Sequence, residues 1–310
     1  MCALAACAAS AATSRQIVDR ARPWSARRWA SQSPTARVRA SGPDAESPET
    51  ATRPPDASPR PPATVHLVGA GPGGLDNLTV KALRLLRQCD AVVYDDLGGG
   101  EADILAETRP GAERISVGKR GGDARSWRQD DINETLVRLS ANGVTTVRLK
   151  GGCPSVFSRA REEMRALKDA GCPFELVPGV SSALAAPLAV SAPLTEKRLG
   201  KHFVVASAHD CDALDFAAAF KGVDTCVFLM AGKALPVICE RLVADSGKEP
   251  SLPALVVRWA CTEREEVFAG TLRDLADRTA GRELSPCVLV AGEVCAEAVA
   301  ERLASERAPY

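Results

Sequence analysis

The chain of 310 residues is 45% hydrophobic and 25% charged, enough for one large or two modest globular domains. Lys plus Arg and Asp plus Glu balance at 39 each, so no overall basic charge argues for nucleic acid. The 11 cysteines include no C-x-x-C pair and meet only three histidines, which argues against a disulfide framework or a metal site, and no apolar run reaches the roughly 18 residues of a membrane span. The cysteines read as mostly buried free thiols in a reducing compartment.

Residues 1–62 differ from the rest. Up to Arg39 the only acid is Asp19, set against seven arginines, and Ala, Ser, Arg and Pro dominate. An Arg- and Ser-rich, acid-poor leader has the composition of an organelle transit peptide, and an ordinary disordered N-terminus is the other reading. Residues 1–40 are assigned to the leader and 41–63, rich in Pro, Asp and Glu, to an unstructured linker.

From residue 64 apolar strands alternate with helical stretches to about residue 294, the pattern of α/β architecture. Val65, Leu67 and Val68 predict a strand that empties into the Gly-rich turn 69–74, followed by an amphipathic helix over 78–86. Gly69, Gly71 and Gly74 fit the dinucleotide pattern G-x-G-x-x-G. Pro72 removes an amide from that loop, however, and Asp76 sets a carboxylate where pyrophosphate would sit, so a less anionic ligand suits it. Strands at 91–94 and 114–117 flank a short helix at 102–107, and the second strand runs into Gly118, Lys119, Arg120, Gly121 and Gly122. A helix over 130–140 and a strand over 145–149 lead to Gly151, Gly152, Cys153 and Pro154, with a helix at 159–170 and a strand at 174–177 beyond. In the second half, strands are expected at 202–207, 225–230, 254–259 and 287–291 and helices at 235–243 and 272–280. The reading is two α/β domains, 64–192 and 193–310, with a ligand in the cleft between them.

Each of the three Gly loops of the first half follows a strand. One such loop is usually a tight turn; three on a common edge favour a site where backbone approaches a ligand. Asp95 ends the second strand, and suits the ribose acid of a dinucleotide site, a general base at the cleft mouth, or a turn former before Gly98. Lys119 suits a solvated charge, a binder of substrate carboxylates, or a proton donor. The small residues of 178–187 open a helix that admits a flat ligand or another backbone, and the hydroxyls of Ser181 and Ser182 suit a ribose or a carboxylate.

Taken in order, these segments resemble the tetrapyrrole methylase family over nearly all of residues 64–296. VHLVGAGPGGLDNLTVKALRLL is similar to the family's V-x-L-V-G-A-G-P-G-D-x-x-L-L-T-x-K-A, AVVYDDL to Y-D-x-L, and SVGKRGG to V-G-K-R-x-G. VRLKGGCPSVFSRAREE is similar to R-L-K-G-G-D-P-F-x-F-G-R-G-x-E-E, and FELVPGVSSALAAP to F-E-x-V-P-G-x-S/T-S/A-A. Further on, FLMAGK, VVRWACTEREEVFAGTL and SPCVLVAGEV resemble the M-G, R-W/N-G-T and S-P-x-x-x-x-G-x-V signatures. This order is far more specific than any single Gly loop.

The resemblance implies S-adenosyl-L-methionine as methyl donor in the cleft, touching Pro72, Gly151, Gly152, Cys153, Val156, Ser181, Ser182, Met230 and Ala260 largely through backbone, with no metal. It implies Asp95 as general base and Lys119 as proton donor, uroporphyrinogen III as acceptor, methylated at C2 and then C7 to precorrin-2 on the way to sirohaem, and a homodimer. Lys119, Arg120, Arg125, Arg128 and Arg159 are the expected anchors for the acceptor's carboxylates. Leader and pathway together point to the chloroplast stroma, with the mitochondrion as runner-up. Four departures stand out: Cys153 for the Asp of G-G-D-P, Gly74 for the Asp of G-P-G-D, Ser155 for an aromatic, and residues 158–161 for G-R-G-G. Methylation of another tetrapyrrole is the alternative activity. A nucleotide-binding oxidoreductase is disfavoured because the later loops fit no nicotinamide or flavin scheme.

Overall fold

Strict alternation of buried side chains along parallel strands builds the first half. In the computed structural model, which describes residues 61–96, 101–118 and 127–307, strands β1 (Val65–Gly69), β2 (Ala91–Tyr94), β3 (Glu113–Ser116), β4 (Thr146–Lys150) and β5 (Phe174–Val177) form one parallel sheet in the order β3-β2-β4-β1-β5. Parallel neighbours need long crossovers, and these carry helices α1 (Val80–Leu86), α2 (Glu101–Ala106), α3 (Gln129–Ala141) and α4 (Ala160–Asp169). Val65, Leu67, Ala91 and Val93 pack with Ile132, Leu136 and Leu139 of α3 and Leu167 of α4. Their alternates Val68, Val92, Val147 and Leu149 pack with Ala82 and Leu86 of α1 and Ile104 and Leu105 of α2. The first helix begins at 80 rather than 78 because the Thr79 hydroxyl accepts from the Ala82 amide at 3.2 Å, a side-chain N-cap.

The second half follows a different plan from the first. Strands β6 (Phe203–Ser207), β7 (Thr225–Leu229), β8 (Pro253–Arg258), β9 (Glu266–Thr271) and β10 (Cys287–Ala291) lie in the order β6-β7-β10-β8-β9, and only β6 and β7 are parallel. Helices α6 (Phe216–Phe220), α7 (Leu235–Ala244) and α8 (Leu275–Arg278) cover one face. The other face is covered by α9 (Ala296–Arg307) and by α5 (Ser182–Ala189). The expected helix over 272–280 is corrected to the four residues of α8, and β9 is a strand that the sequence analysis passes over. Its residues close a hairpin with β8, and the Asp274 carboxylate accepts from the Thr271 amide and hydroxyl at 2.6 and 2.7 Å, which ends the strand in a turn. Both α6 and α9 are likewise additions.

Helix α5 follows the first sheet in the chain but packs on the second: Ala183 and Ala186 sit against Val227, Leu229, Val288 and Val290. Its start is fixed by three glycine backbones. A methyl group at Gly69 would lie 2.5 Å from the Gly152 oxygen and 2.7 Å from the Gly179 Cα, and one at Gly179 would lie 2.4 Å from the same oxygen. These glycines make room for the chain itself. Gly179→Ala is expected to cost about 1–3 kcal/mol and to lower the melting temperature by roughly 2–4 °C per kcal/mol. An added carbon at Gly74 meets nothing nearer than Asp103 Oδ2 at 3.9 Å, so Gly74→Ala should stay within about 0.5 kcal/mol of the parent. Equal losses for the two in thermal unfolding would overturn the backbone-contact account.

Candidate active site

All five strands of the first sheet end on one edge, and there the loops after the adjacent strands β1 and β4 meet. Gly71 and Gly152 exchange amide-to-carbonyl hydrogen bonds in both directions, at 3.1 and 3.2 Å. Beyond this bridge Gly151, Gly152 and Cys153 face Ser181 and Ser182 at the start of α5, whose N-cap is Ser181, accepting from the Ala183 amide at 3.3 Å. The second half supplies Leu229 and Met230 at the end of β7, and Ser285, Pro286 and Cys287 at the start of β10. With Val156 and Phe157 these residues line a cavity of about 220 Å³. Met230 and Phe157 hold left-handed backbone, φ 60 and 45°, which costs energy in a residue with a side chain and which clusters at functional sites.

Seven of the nine residues expected at the donor site line this cavity: Gly151, Gly152, Cys153, Val156, Ser181, Ser182 and Met230. Phe157, Leu229, Ser285, Pro286 and Cys287 join them, although no motif quoted above marks Phe157 or Leu229 for a ligand. Pro72 and Ala260 are not on its wall. The Pro72 carbonyl accepts from Asn77 Nδ2 at 2.9 Å, and a side chain on the neighbouring Gly73 would run into the Cys261 carbonyl, 2.2 Å from an added carbon. Ala260 packs beside the apolar cluster of the second sheet. The first Gly loop thus forms a seam between the halves. Of the second Gly loop, 118–122, only Gly118 is described; Lys119, Arg120 and Arg125 lie outside the described residues.

Among the described residues that line it, the cavity wall carries no Asp, Glu, Lys or Arg. A pyrophosphate would find no cation there, whereas Val156, Phe157, Leu229, Met230 and Pro286 offer flat apolar surface and the serines and glycine backbones offer hydrogen bonds. Cys153, where the family carries Asp, places its sulfur 3.0 Å from the Ser155 hydroxyl. Partial burial works to raise this thiol's pKa, but hydrogen bonds from Ser155 and the Gly179 backbone outweigh it and hold the thiol below its ordinary value. On the same wall burial pushes the Cys287 thiol up to about 12.

Below the edge lies a chain of buried charge. Because Val147 and Leu149 face α1 and α2, their alternates Arg148 and Lys150 face α4, where Glu163 shares the buried side of the helix with Ala160 and Leu167. Arg148 Nη2 donates to Asp95 Oδ1 at 2.7 Å and its Nε to Glu163 Oε1 at 3.1 Å, while Lys150 Nζ reaches the same Oε1 at 2.7 Å. Burial alone would lower the Arg148 pKa, yet the charges of Asp95 and Glu163 outweigh it and leave the guanidinium above its ordinary value. Burial, and then the charge of Arg148, hold Lys150 below its ordinary value. Glu163 Oε2 is buried without a hydrogen-bond partner among the described residues. Asp95 does not line the cavity. Its network was signalled in sequence by two cations two positions apart on an otherwise apolar strand.

Of the expected acceptor anchors that are described, Arg128 is exposed and its amide donates to Asp131 Oδ2 at 3.2 Å. Arg159 is left-handed at φ 59° and grips Glu162 with two nitrogens, at 2.8 and 2.7 Å. Among the described residues no group of three His, Cys, Asp or Glu side chains is placed to hold a metal ion, and no helix is long and apolar enough to cross a membrane.

A family model described as Tetrapyrrole (Corrin/Porphyrin) Methylases matches residues 64–276. The chain belongs to the tetrapyrrole methylase family. It is similar to the uroporphyrinogen-III C-methyltransferase of Synechococcus elongatus, 39% identical over 230 residues that cover 74% of this chain and 93% of that relative. It is also similar to the siroheme synthase of Chromobacterium violaceum, 40% identical over 234 residues and 74% of this chain, and spans about half of that longer relative, 49%. A Thermus thermophilus uroporphyrin-III C-methyltransferase structure matches with TM-score 0.64 at 36% identity, covering 80% of this chain and 97% of that one. A structure of the Thermus thermophilus enzyme complexed with S-adenyl homocysteine matches with TM-score 0.65 at 35% identity, covering 76% and 100%.

Cys153, on the cavity wall, and Cys261, at the seam against Gly73, are the half-buried cysteines among the described residues; burial, followed by the charge of Glu265, raises the Cys261 pKa. Limited alkylation with iodoacetamide at neutral pH, read by peptide mapping, should therefore label Cys153 ahead of Cys261, and S-adenosylhomocysteine should slow the labelling of Cys153 alone. Faster labelling of Cys261 would contradict the thiol environments described.

Proposed function

We propose that this tetrapyrrole methylase is an S-adenosyl-L-methionine-dependent methyltransferase that methylates uroporphyrinogen III at C2 and C7 to give precorrin-2, in the synthesis of sirohaem. The observation that carries the reading is the cavity that both halves build from glycine backbone, two serines and apolar walls, in a chain similar over 93% of a relative named for this activity. The lining suits the donor: its apolar side chains match an adenine face, its serine hydroxyls a ribose, and the absence of charged side chains among the described lining residues a ligand without phosphates. When bound, the donor supplies a sulfonium methyl group that a pyrrole carbon can attack in line.

The chain's own residues then have separable tasks. The walls hold donor and acceptor in register, and Asp95, at the carboxyl end of β2 and only 15% exposed, takes the proton that the methylated macrocycle must release, away from the fully substituted methylated carbon, to restore conjugation. Lys119 is assigned the proton donor. Arg128, Arg159 and the cations of the loop after β3 pair with carboxylates of the acceptor, for which Arg159 must release Glu162. Donor contacts are assigned to the seven expected residues on the cavity wall; Pro72 and Ala260 have no such supporting contact. A homodimer belongs to the proposal, supported by the exposed apolar row Val180, Leu184 and Leu188 at the start of and along α5. So does the chloroplast stroma, supported by the composition of residues 1–40.

The decisive experiment incubates the full-length protein with S-adenosyl-L-methionine and reduced uroporphyrinogen III and reads the mass of the tetrapyrrole. A gain of two methyl groups is expected. No gain with S-adenosylhomocysteine binding intact rejects this acceptor, and failure to bind S-adenosylhomocysteine rejects the methyltransferase reading. Sedimentation of the same preparation should report twice the 32.6 kDa monomer. Residues 1–63 fused to a fluorescent protein should carry it into isolated chloroplasts; uptake by mitochondria alone would move the assignment there, and uptake by neither would remove it.

A further inference from the structure

Parallel strands covered by helices on both faces are normally apolar on both, yet β4 places Arg148 and Lys150, 0% and 2% exposed, against a Glu163 that is 0% exposed. Burying such a cluster is costly, and apolar residues of similar volume often serve stability as well or better. Its geometry is directional. Two cations and two carboxylates balance, and the line of contacts Lys150, Glu163, Arg148, Asp95 leads from beneath α4 to the one carboxylate that emerges at the sheet edge. Arg148 is also held by backbone: its Nη1 donates to the Leu149 carbonyl at 3.0 Å. A planar guanidinium fastened at Nε and Nη1 has little freedom left, so the direction of its Nη2 is set before Asp95 is reached. Arg148 does not line the cavity.

We infer that Arg148 is a positioning residue for methyl transfer: clamped from behind by Glu163, it fixes the orientation of the Asp95 carboxylate that takes the acceptor's proton. This rests on the proposed methyl transfer with Asp95 as base. Glu163 acts one step further back, and Lys150 balances its charge so that Glu163 stays on Arg148. Substituting Lys for Arg148 keeps the buried charge but loses the fork, because a single ammonium cannot reproduce the in-plane contacts to Asp95, Glu163 and the Leu149 carbonyl.

The test is a double-mutant cycle on the full-length protein, with methyl transfer to uroporphyrinogen III and S-adenosylhomocysteine affinity measured for each variant. Asp95→Asn should lower kcat by about 10²-fold or more. Arg148→Lys should lower kcat by roughly 10- to 100-fold with S-adenosylhomocysteine affinity kept within about twofold, and on the Asp95→Asn background its cost should shrink to less than about threefold. A structural defect would cost the same in both backgrounds or would weaken ligand affinity in step with kcat, and either result overturns the inference. Should Arg148→Lys not fold, Glu163→Gln, which keeps shape and acceptor but removes the clamp's charge, carries the same cycle: a loss on the parent that vanishes on Asp95→Asn is expected, and an additive loss overturns it. Asp95→Asn as fast as the parent would remove the base reading and the positioning role together. A slow Asp95→Asn beside an unimpaired Arg148→Lys would sink the positioning role alone.

Discussion

The contact of three glycine backbones, Gly69, Gly152 and Gly179, fixes the geometry of everything around the cleft. It joins the end of β1, the loop after β4 and the segment after β5 at distances that no Cβ atom tolerates. The Gly151 to Cys153 turn can therefore run close under the start of α5, and Ser181 and Ser182 face the backbone of Gly152 with no side chain between. Pro178 and Gly179 also aim the chain away from the first sheet, so that α5 lands on the second. The glycine signature that on paper suggests a phosphate cradle is used here to bring the protein's own main chain together, and the ligand wall is a by-product of that closeness.

The buried charges obey a second constraint. Arg148 and Lys150 occupy positions that alternation gives to the face under α4, and Glu163 is the residue of α4 that the helical repeat turns toward them. Removing one member strands an uncompensated charge in the interior, typically at a cost of about 3–5 kcal/mol. Such a cluster is retained as a set or lost as a set. It also ties the register of α4 to that of β4, because a shift of one helical residue would turn Glu163 away and set Glu162 or Met164 at the position from which Glu163 reaches both buried cations.

Much of the first half was legible because its strands are short apolar runs closed by glycines, and the order of those runs with their loops identified the family. The second half was less so. Edge strand β9 mixes Glu266 and Thr271 with Val267 and Phe268, and what makes it a strand is its pairing with β8, a contact that local pattern does not encode. Helix α5 is small and apolar on all sides, so it shows no face from which its partner could be read. The same limit hid the site's support. Asp95 was visible at a strand end, but its link through Arg148 to Glu163 spans residues up to 68 positions apart and exists only once α4 has docked. Pro72 and Ala260 show the converse: motif order assigns them to the donor, while the packing seen here sets the Pro72 carbonyl on Asn77 and Ala260 beside the apolar cluster of the second sheet.

That α5 belongs by chain order to one half and by packing to the other bears on how such proteins exchange parts. A recombination joint placed after residue 192 would graft a foreign helix onto the second sheet, where Ala183 and Ala186 must fit Val227, Leu229, Val288 and Val290 without a gap. A joint near Val180 would keep Gly179 with Gly69 and deliver α5 together with the sheet it covers. The inheritable modules of this fold are therefore cut one helix earlier than its strands suggest, and the ligand wall at Ser181 and Ser182 travels with the second module, not the first.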